Sequence, residues 1–593
     1  MLSGEEMMQL VQSLIWLLAG VGVFIVGMDF LSDALEKSAG NGMKRLIERI
    51  SNNRIAGVGI GAGVTAIIQS SSATSVMVIG LVNAGVMTLM QATPIIMGAN
   101  IGTTITGILV ALKNDYFNMA MYFLAFAGVM MGFSQKESVK TAGRLCCGLG
   151  MIFVGLEVMS SEQAFGNPLV ELLFTNIFQV IDFPLLLILV GIVFTALMQS
   201  SSAATGVVIT MVGTGVMPLE LALFIILGAN IGTCVTALLA SVGANTNSKR
   251  VALIHFTFNL IGTVLFTALI WLFKEPAVNL LVSLFPGDDP MSLQMRVSAF
   301  HVVFNVTTTC MLLPFVKQLV QYSCMVIKGT EDQEKVEILD ERLIGTPAVA
   351  IQRAHEVAGQ MAADSMEALT LAVSLTKKFD SKVMEQVREL EDRTDRYEDA
   401  LGTYLVKLSN ANLSVADNRV LNTLLYTVTD IERIADYAMN IAKAATEIQD
   451  KKVNFSAQAK SELEVLERAV NDIVARTVAA YQTFDLEQAI KVEPQEQVVD
   501  ALVREIKSRH VRRLRDGLCT VEYGFVLEDL LTAYKRTAAH CSNVAVEMLQ
   551  VSEGKLEAHE YLNALKAGEL HESAAFAEHF ARYKARYAFP EEQ

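Results

Sequence analysis

Residues 65–106 and 195–236, aligned without gaps at an offset of 130, share 24 of 42 residues. The common words are TA..QSSSA, GVM.L..A and GANIGT..T. Both copies lie in apolar sequence. The runs 86–112, 183–217 and 251–272 contain no Asp, Glu, Lys or Arg. An apolar stretch of about 18 or more residues is long enough to cross a bilayer. Several in succession predict a polytopic, all-α membrane domain. Internal duplication inside such a domain is how many secondary transporters are built, with substrate and ion sites between the repeats.

Charge divides the chain. Residues 1–330 hold 15 Lys+Arg and 16 Asp+Glu, a net of −1, whereas the other 263 residues hold 32 and 46, a net of −14. The acidic half argues against nucleic acid as a partner, because phosphates require a basic surface. It also argues against electrostatic docking on anionic lipid. Lys37, Lys44, Arg45, Arg49 and Arg54 follow the first apolar run, Lys249 and Arg250 mark a second basic loop, and 160–182 lacks Lys and Arg. The positive-inside rule makes the first two cytoplasmic and the third external. The opening MLSGEEMM is acidic where a signal peptide is basic, so no cleaved signal is expected. The seven Cys form no CxxC, which leaves zinc-ribbon and thioredoxin-type chemistry without support.

These signals predict a membrane domain over 1–327, with repeats at about 57–112 and 187–242. A charged linker, 328–347, ends in Gly-Thr-Pro. Residues 348–553 carry helical periodicity with almost no Pro and read as a cytoplasmic helical bundle. A helical tail, 554–593, follows. A shorter echo pairs RVALIHFTFN with RVSAFHVVFN, which places His255 and Asn259, and likewise His301 and Asn305, on one helix face. Interhelical hydrogen bonding explains them first; support of a transport site is the second reading. Asp29 and Glu157 lie in apolar surroundings near span ends, where an ionisable residue is either functional or interfacial.

A Gln and three Ser in a row cannot all find partners on one neighbouring helix, and unsatisfied polar groups in lipid cost several kcal/mol each. A break in the helix at each QSSS resolves this. The hydroxyls and freed amides then line a protein-enclosed cavity, and the helix that reopens presents N–H groups and a positive dipole end to an anion. GANIGTTIT and GANIGTCVT supply Asn and Thr oxygens which, with unwound backbone carbonyls, suit a hard cation such as sodium. Small polar residues also glue membrane helices together. Two copies of both motifs in fixed register favour a transport site.

The doubled QSSS and Gly-x-Asn-Ile-Gly-Thr words resemble the type II sodium–phosphate cotransporter family over about residues 10–325. The resemblance implies two inverted repeats, each with QSSS at the tip of a re-entrant hairpin. It implies phosphate binding by Gln69, Ser70, Ser71, Ser72, Gln199, Ser200, Ser201 and Ser202. Sodium would be bound by Thr233 and Thr236, with Asn230, Asn100, Thr103 and Thr106 as companions. Cys234 stands where the family often has Thr, and Ala99 and Ala229 where it often has Ser. The family's Asp linked to electrogenic transport has no aligned counterpart; Asp115 is nearest. The words DIERIADYAMNIA and ELEDRTDRYEDAL resemble the phosphate-uptake regulator PhoU. That resemblance implies a divalent-metal cluster from Glu391, Asp395, Glu432 and Asp436, and homo-oligomerisation through this domain. In the second copy Lys535 and Ala539 replace the carboxylates.

The expectation is therefore sodium-coupled transport of inorganic phosphate across a bacterial inner membrane, regulated by a cytoplasmic PhoU-like domain, with no covalent chemistry. Export under phosphate excess and a non-cycling phosphate sensor are the alternatives.

Overall fold

The computed structural model describes residues 3–48, 53–112, 115–181, 183–329, 339–411, 413–553 and 573–590, and among them there is no strand. Two compact units divide the chain, 1–348 and 349–593.

The first unit opens with α1 (Gly4–Glu48), a long helix apolar over most of its length. Then come α2 (Arg54–Ile68), α3 (Ser71–Asn83) and α4 (Leu89–Ala111), followed by α5 (Asp115–Gly132), α6 (Glu137–Ser160) and α7 (Pro168–Val180). The second copy of the motif lies on α8 (Pro184–Met198), α9 (Ser201–Gly213) and α10 (Leu219–Ser241). The unit closes with α11 (Thr246–Leu272), α12 (Lys274–Leu284), α13 (Pro290–Leu312) and α14 (Val316–Val326). Among the described residues, six helical segments are long and apolar enough to cross a membrane.

The offset of 130 holds in three dimensions. A Cβ at Gly61 of α2 would lie 2.0 Å from the Ile95 carbonyl oxygen of α4, and one at Gly191 of α8 would lie 2.2 Å from that of Ile225 on α10. Glycine at these positions lets the paired backbones touch, a packing mode common between membrane helices. The two basic positions of the shorter echo are not loop charges. Arg250 is buried at the start of α11 and donates to the carbonyls of Ile327 and Gly329; Arg296, buried on α13, donates to those of Phe285 and Gly287. They satisfy backbone carbonyls at and just beyond the ends of α14 and α12, which is why Arg250 does not behave as the exposed loop residue its neighbours suggested. Residues 341–345, read as linker, form a short 3₁₀ turn that buries Leu343 against Gly80 of α3.

The second unit contains α15 (Pro347–Lys377), α16 (Ser381–Leu408), α17 (Val415–Asp450), α18 (Ala457–Thr483), the one-turn α19 (Leu486–Ala489), α20 (Val492–Arg515), α21 (Val521–Glu553) and α22 (Ser573–Arg586). It is also a duplication. Val387, Leu390 and Thr394, buried on α16, correspond at an offset of 105 to Val492, Gln495 and Val499, buried on α20. Side-chain caps set the helix starts: Asp380, Ser414, Ser456 and Asp485 accept from the first-turn amides of α16, α17, α18 and α19. The α22 segment docks by its aromatics, with Tyr587 donating to Asp472 at 2.6 Å.

Candidate functional site

Each QSSS ends one helix and begins another. Gln69 and Gln199 terminate α2 and α8 in the left-handed region, at φ 57° and φ 52°. Ser70 and Ser200 then cap α3 and α9, their hydroxyls accepting from Ala73 N at 3.1 Å and Ala203 N at 3.2 Å. A left-handed residue without a glycine is strained, and such strain collects at functional sites.

The two breaks meet. Gln69, Ser70, Ser71 and Ser72 line one cavity of about 210 Å³ together with Gln199, Ser200, Ser201 and Ser202. From α1, Ile25, Met28, Asp29 and Ser32 complete the wall, and no Lys or Arg lines it. The Ser32 hydroxyl donates to the Ile68 carbonyl at 2.5 Å and ties α1 to the end of α2. Two helix N-termini thus open on a polar space carrying Ser hydroxyls and Gln amides. This arrangement offers hydrogen-bond donors to an oxyanion without a cationic side chain.

The GANIGT motifs differ from expectation. Their backbone is not unwound, because α4 and α10 run unbroken through both. Their glycines serve helix contact instead: a Cβ at Gly98 or Gly228 would lie 2.1 Å from the Val58 or Ile188 carbonyl oxygen. The polar side chains divide into two groups. Thr106 donates to Gln69 Oε1 at 2.8 Å, and Thr236 donates to Ser72 Oγ at 3.1 Å, which joins the second repeat's motif to the first repeat's QSSS. Asn100, Thr103, Asn230 and Thr233 are buried and bond the carbonyls four residues back on their own helices. A Thr hydroxyl bonded in this way keeps its lone pairs for another ligand.

His255, Asn259, His301 and Asn305 are buried on α11 and α13. Asn259 donates to the His255 carbonyl and to Cys234 Sγ, Asn305 donates to the His301 carbonyl, and His301 Nε2 lies 3.4 Å from Asn230 Oδ1. His301 therefore stands behind the second Asn-Ile-Gly-Thr, while the His255 carbonyl meets Cys234 and Asn259. Asp115 begins α5, and its side chain lies outside the described residues.

In the second unit, Asp395, Glu432 and Asp436 bring carboxylate oxygens within 4.8 Å of one another; Glu391 is not one of this trio. Burial, and then the charge of Asp436, push the Glu432 carboxyl up to about 7. Burial and Asp436 also raise Asp395, and burial and Asp395 raise Glu391. Arg433 pairs with Asp436 at 2.6 Å. Three crowded carboxylates suit a hard divalent cation. The twin position is different. Lys535, in the place of Glu432, puts its ammonium 2.6 Å from Asp500, which Arg504 also meets at 3.1 Å. Fixed cations neutralise the remaining carboxylate there.

A sequence profile of the Na⁺/Pi-cotransporter family matches residues 23–161 and 163–282, and one of the PhoU domain matches 351–445 and 463–548. The chain is 24% identical over 565 residues to YjbB of Salmonella typhimurium, named for inorganic phosphate export; the match covers 93% of this chain and 100% of that one. It is 31% identical over 293 residues to YqeW of Bacillus subtilis, covering 49% of this chain and 91% of that one. It is 24% identical over 450 residues to sodium-dependent phosphate transport protein 2B of Pongo abelii, covering 51% of this chain and 64% of that one. These matches span both QSSS cavity walls and both halves of the helical bundle, and the chain is a phosphate-transport membrane protein of the Na⁺/Pi-cotransporter family that carries a PhoU domain.

Proposed function

We propose that this protein carries inorganic phosphate across the bacterial inner membrane by sodium-coupled alternating access. The observation that carries the reading is the convergence of both QSSS breaks on one cavity. Phosphate would accept from the first-turn amides of α3 and α9, from Ser71, Ser72, Ser201 and Ser202 and from the Gln199 side-chain amide, with Gln69, Ser70 and Ser200 shaping the tips. Sodium would bind the free lone pairs of Thr103, Thr106, Thr233 and Thr236 with Asn100 and Asn230, offsetting the phosphate charge. Thr236 and Thr106 are placed to couple the two, since each already touches a QSSS side chain. The α2–α3 and α8–α9 pairs would be re-entrant hairpins of two inverted repeats, with the membrane domain over 1–327 and the PhoU domain over 348–553. Rocking of one repeat against the other would expose the cavity to each side in turn.

The PhoU domain would lie in the cytoplasm, form homo-oligomers and hold a divalent ion at Asp395, Glu432 and Asp436, with Glu391 beside them. Metal occupancy would then report ionic or phosphate status to the transporter. Export is the second reading, favoured by the end-to-end similarity to YjbB. Net flux follows gradients, so both directions use one site. Radiolabelled phosphate flux in proteoliposomes holding the full chain tests the proposal. Flux that follows an imposed sodium gradient, in either orientation, supports it. Phosphate binding without sodium-driven flux would refute it and leave a sensor.

A further inference from the structure

The phosphate cavity contains one charge that the QSSS chemistry does not use. Asp29, on α1, lines it beside Gln69, Ser70 and Gln199. Every other polar group in the wall is a neutral Ser or Gln. Asp29 has no hydrogen-bond or ion-pair partner among the described residues, and Ser32, one turn along the same helix, is pinned to the Ile68 carbonyl at the hairpin tip. That bond ties this turn of α1 to the break, and Asp29 itself is exposed rather than buried, free to take a ligand at the cavity wall.

An unpaired carboxylate on an apolar membrane helix belongs to an ion path or a substrate site. Here it faces a cavity built to receive an anion. Two anions in one small space repel, and the wall supplies no Lys or Arg to separate them. Resting on the sodium-coupled reading above, we infer that Asp29 binds a sodium ion that enters the cavity with phosphate and bridges the carboxylate to the substrate. Carboxylate and hydroxyl oxygens suit such a hard cation. The carboxylate comes from α1, outside both copies of the repeated motif, so no comparison of the repeats would point to it. The sodium it holds adds one positive charge to the transported ions, and the carboxylate balances that charge within the protein.

The test measures phosphate affinity of the purified full chain by equilibrium binding, across a sodium titration, for wild type, Asp29→Asn and Asp29→Glu. Wild type should tighten on phosphate as sodium rises. Asp29→Asn should bind phosphate in sodium-free buffer at least ten-fold more tightly than wild type does there, and its sodium Hill coefficient should fall by about one. Asp29→Glu should retain most of the sodium dependence. A misfolded or merely destabilised variant would lose binding at every sodium concentration, so tighter sodium-free binding cannot arise from that cause. An Asp29→Asn titration superimposable on wild type, or one with weaker binding throughout, would overturn the role of Asp29 and leave sodium coupling intact. A wild-type affinity indifferent to sodium would instead overturn the coupled reading and this inference with it.

Discussion

Gln199 permits a test in which stability and function move in opposite directions. Its φ of 52° places it in the left-handed region, where a residue with a Cβ costs roughly 1–2 kcal/mol. Its side chain has no hydrogen-bond partner among the described residues and lines the cavity. Glycine would remove that strain, less about 0.5–1 kcal/mol for the extra freedom of its unfolded chain. The net expectation for Gln199→Gly is a stability gain of about 0.5 kcal/mol. Gln199→Ala keeps the strain and should be less stable than the glycine variant by about the same amount, the reverse of their order inside a helix. Both variants lose a donor to the phosphate. A hydrogen bond to a charged group contributes roughly 1.5–3 kcal/mol, so phosphate affinity should fall about 10- to 100-fold in each. Thermal melting of the detergent-solubilised full chain gives the first quantity, and equilibrium binding of radiolabelled phosphate the second. Alanine as stable as glycine would refute the left-handed tip, and unchanged affinity would refute the role of the side chain.

Three other expectations follow from single contacts. Lys535→Glu combined with Ala539→Asp restores both missing carboxylates beside Asp500, and manganese bound per full chain, measured by equilibrium dialysis, should rise from one to two. Because the folded pKa of Glu432, about 7, lies above its ordinary 4.5, the metal-free bundle should lose stability as pH rises through this window. The melting shift caused by manganese should therefore be larger at pH 8 than at pH 5.5. Gly228→Leu would drive a side chain into the Ile188 carbonyl oxygen, 2.1 Å from the new Cβ, and size-exclusion profiles should show loss of the monodisperse protein.

Much of the site was legible because its chemistry conflicts with its surroundings. Four polar residues inside an apolar run can be satisfied only by a break, and the break falls where the Gln residues stand. The GANIGT words were misread for a related reason. Glycine beside Asn and Thr suggests irregular backbone, but in α4 and α10 the glycines face neighbouring carbonyls, and only packing reveals that. Asp29 could not be assigned from its position near a span end, since proximity to the QSSS tips depends on how α1 crosses them. The Glu–Asp spacing located the carboxylate trio, whereas the Lys535–Asp500 pair required the fold to bring α20 and α21 together. The docking of α22 through Tyr587 left no signal in a charged, mixed tail.

The central claim is that the two breaks form one phosphate site. Its most direct test is the stoichiometry of phosphate binding to the full chain at saturating sodium, with Gln69→Ala and Gln199→Ala measured alongside. The account predicts one phosphate per wild-type chain, with at least ten-fold weaker affinity for that single site in either variant. Two phosphates per chain, with each substitution removing one and sparing the other, would contradict it.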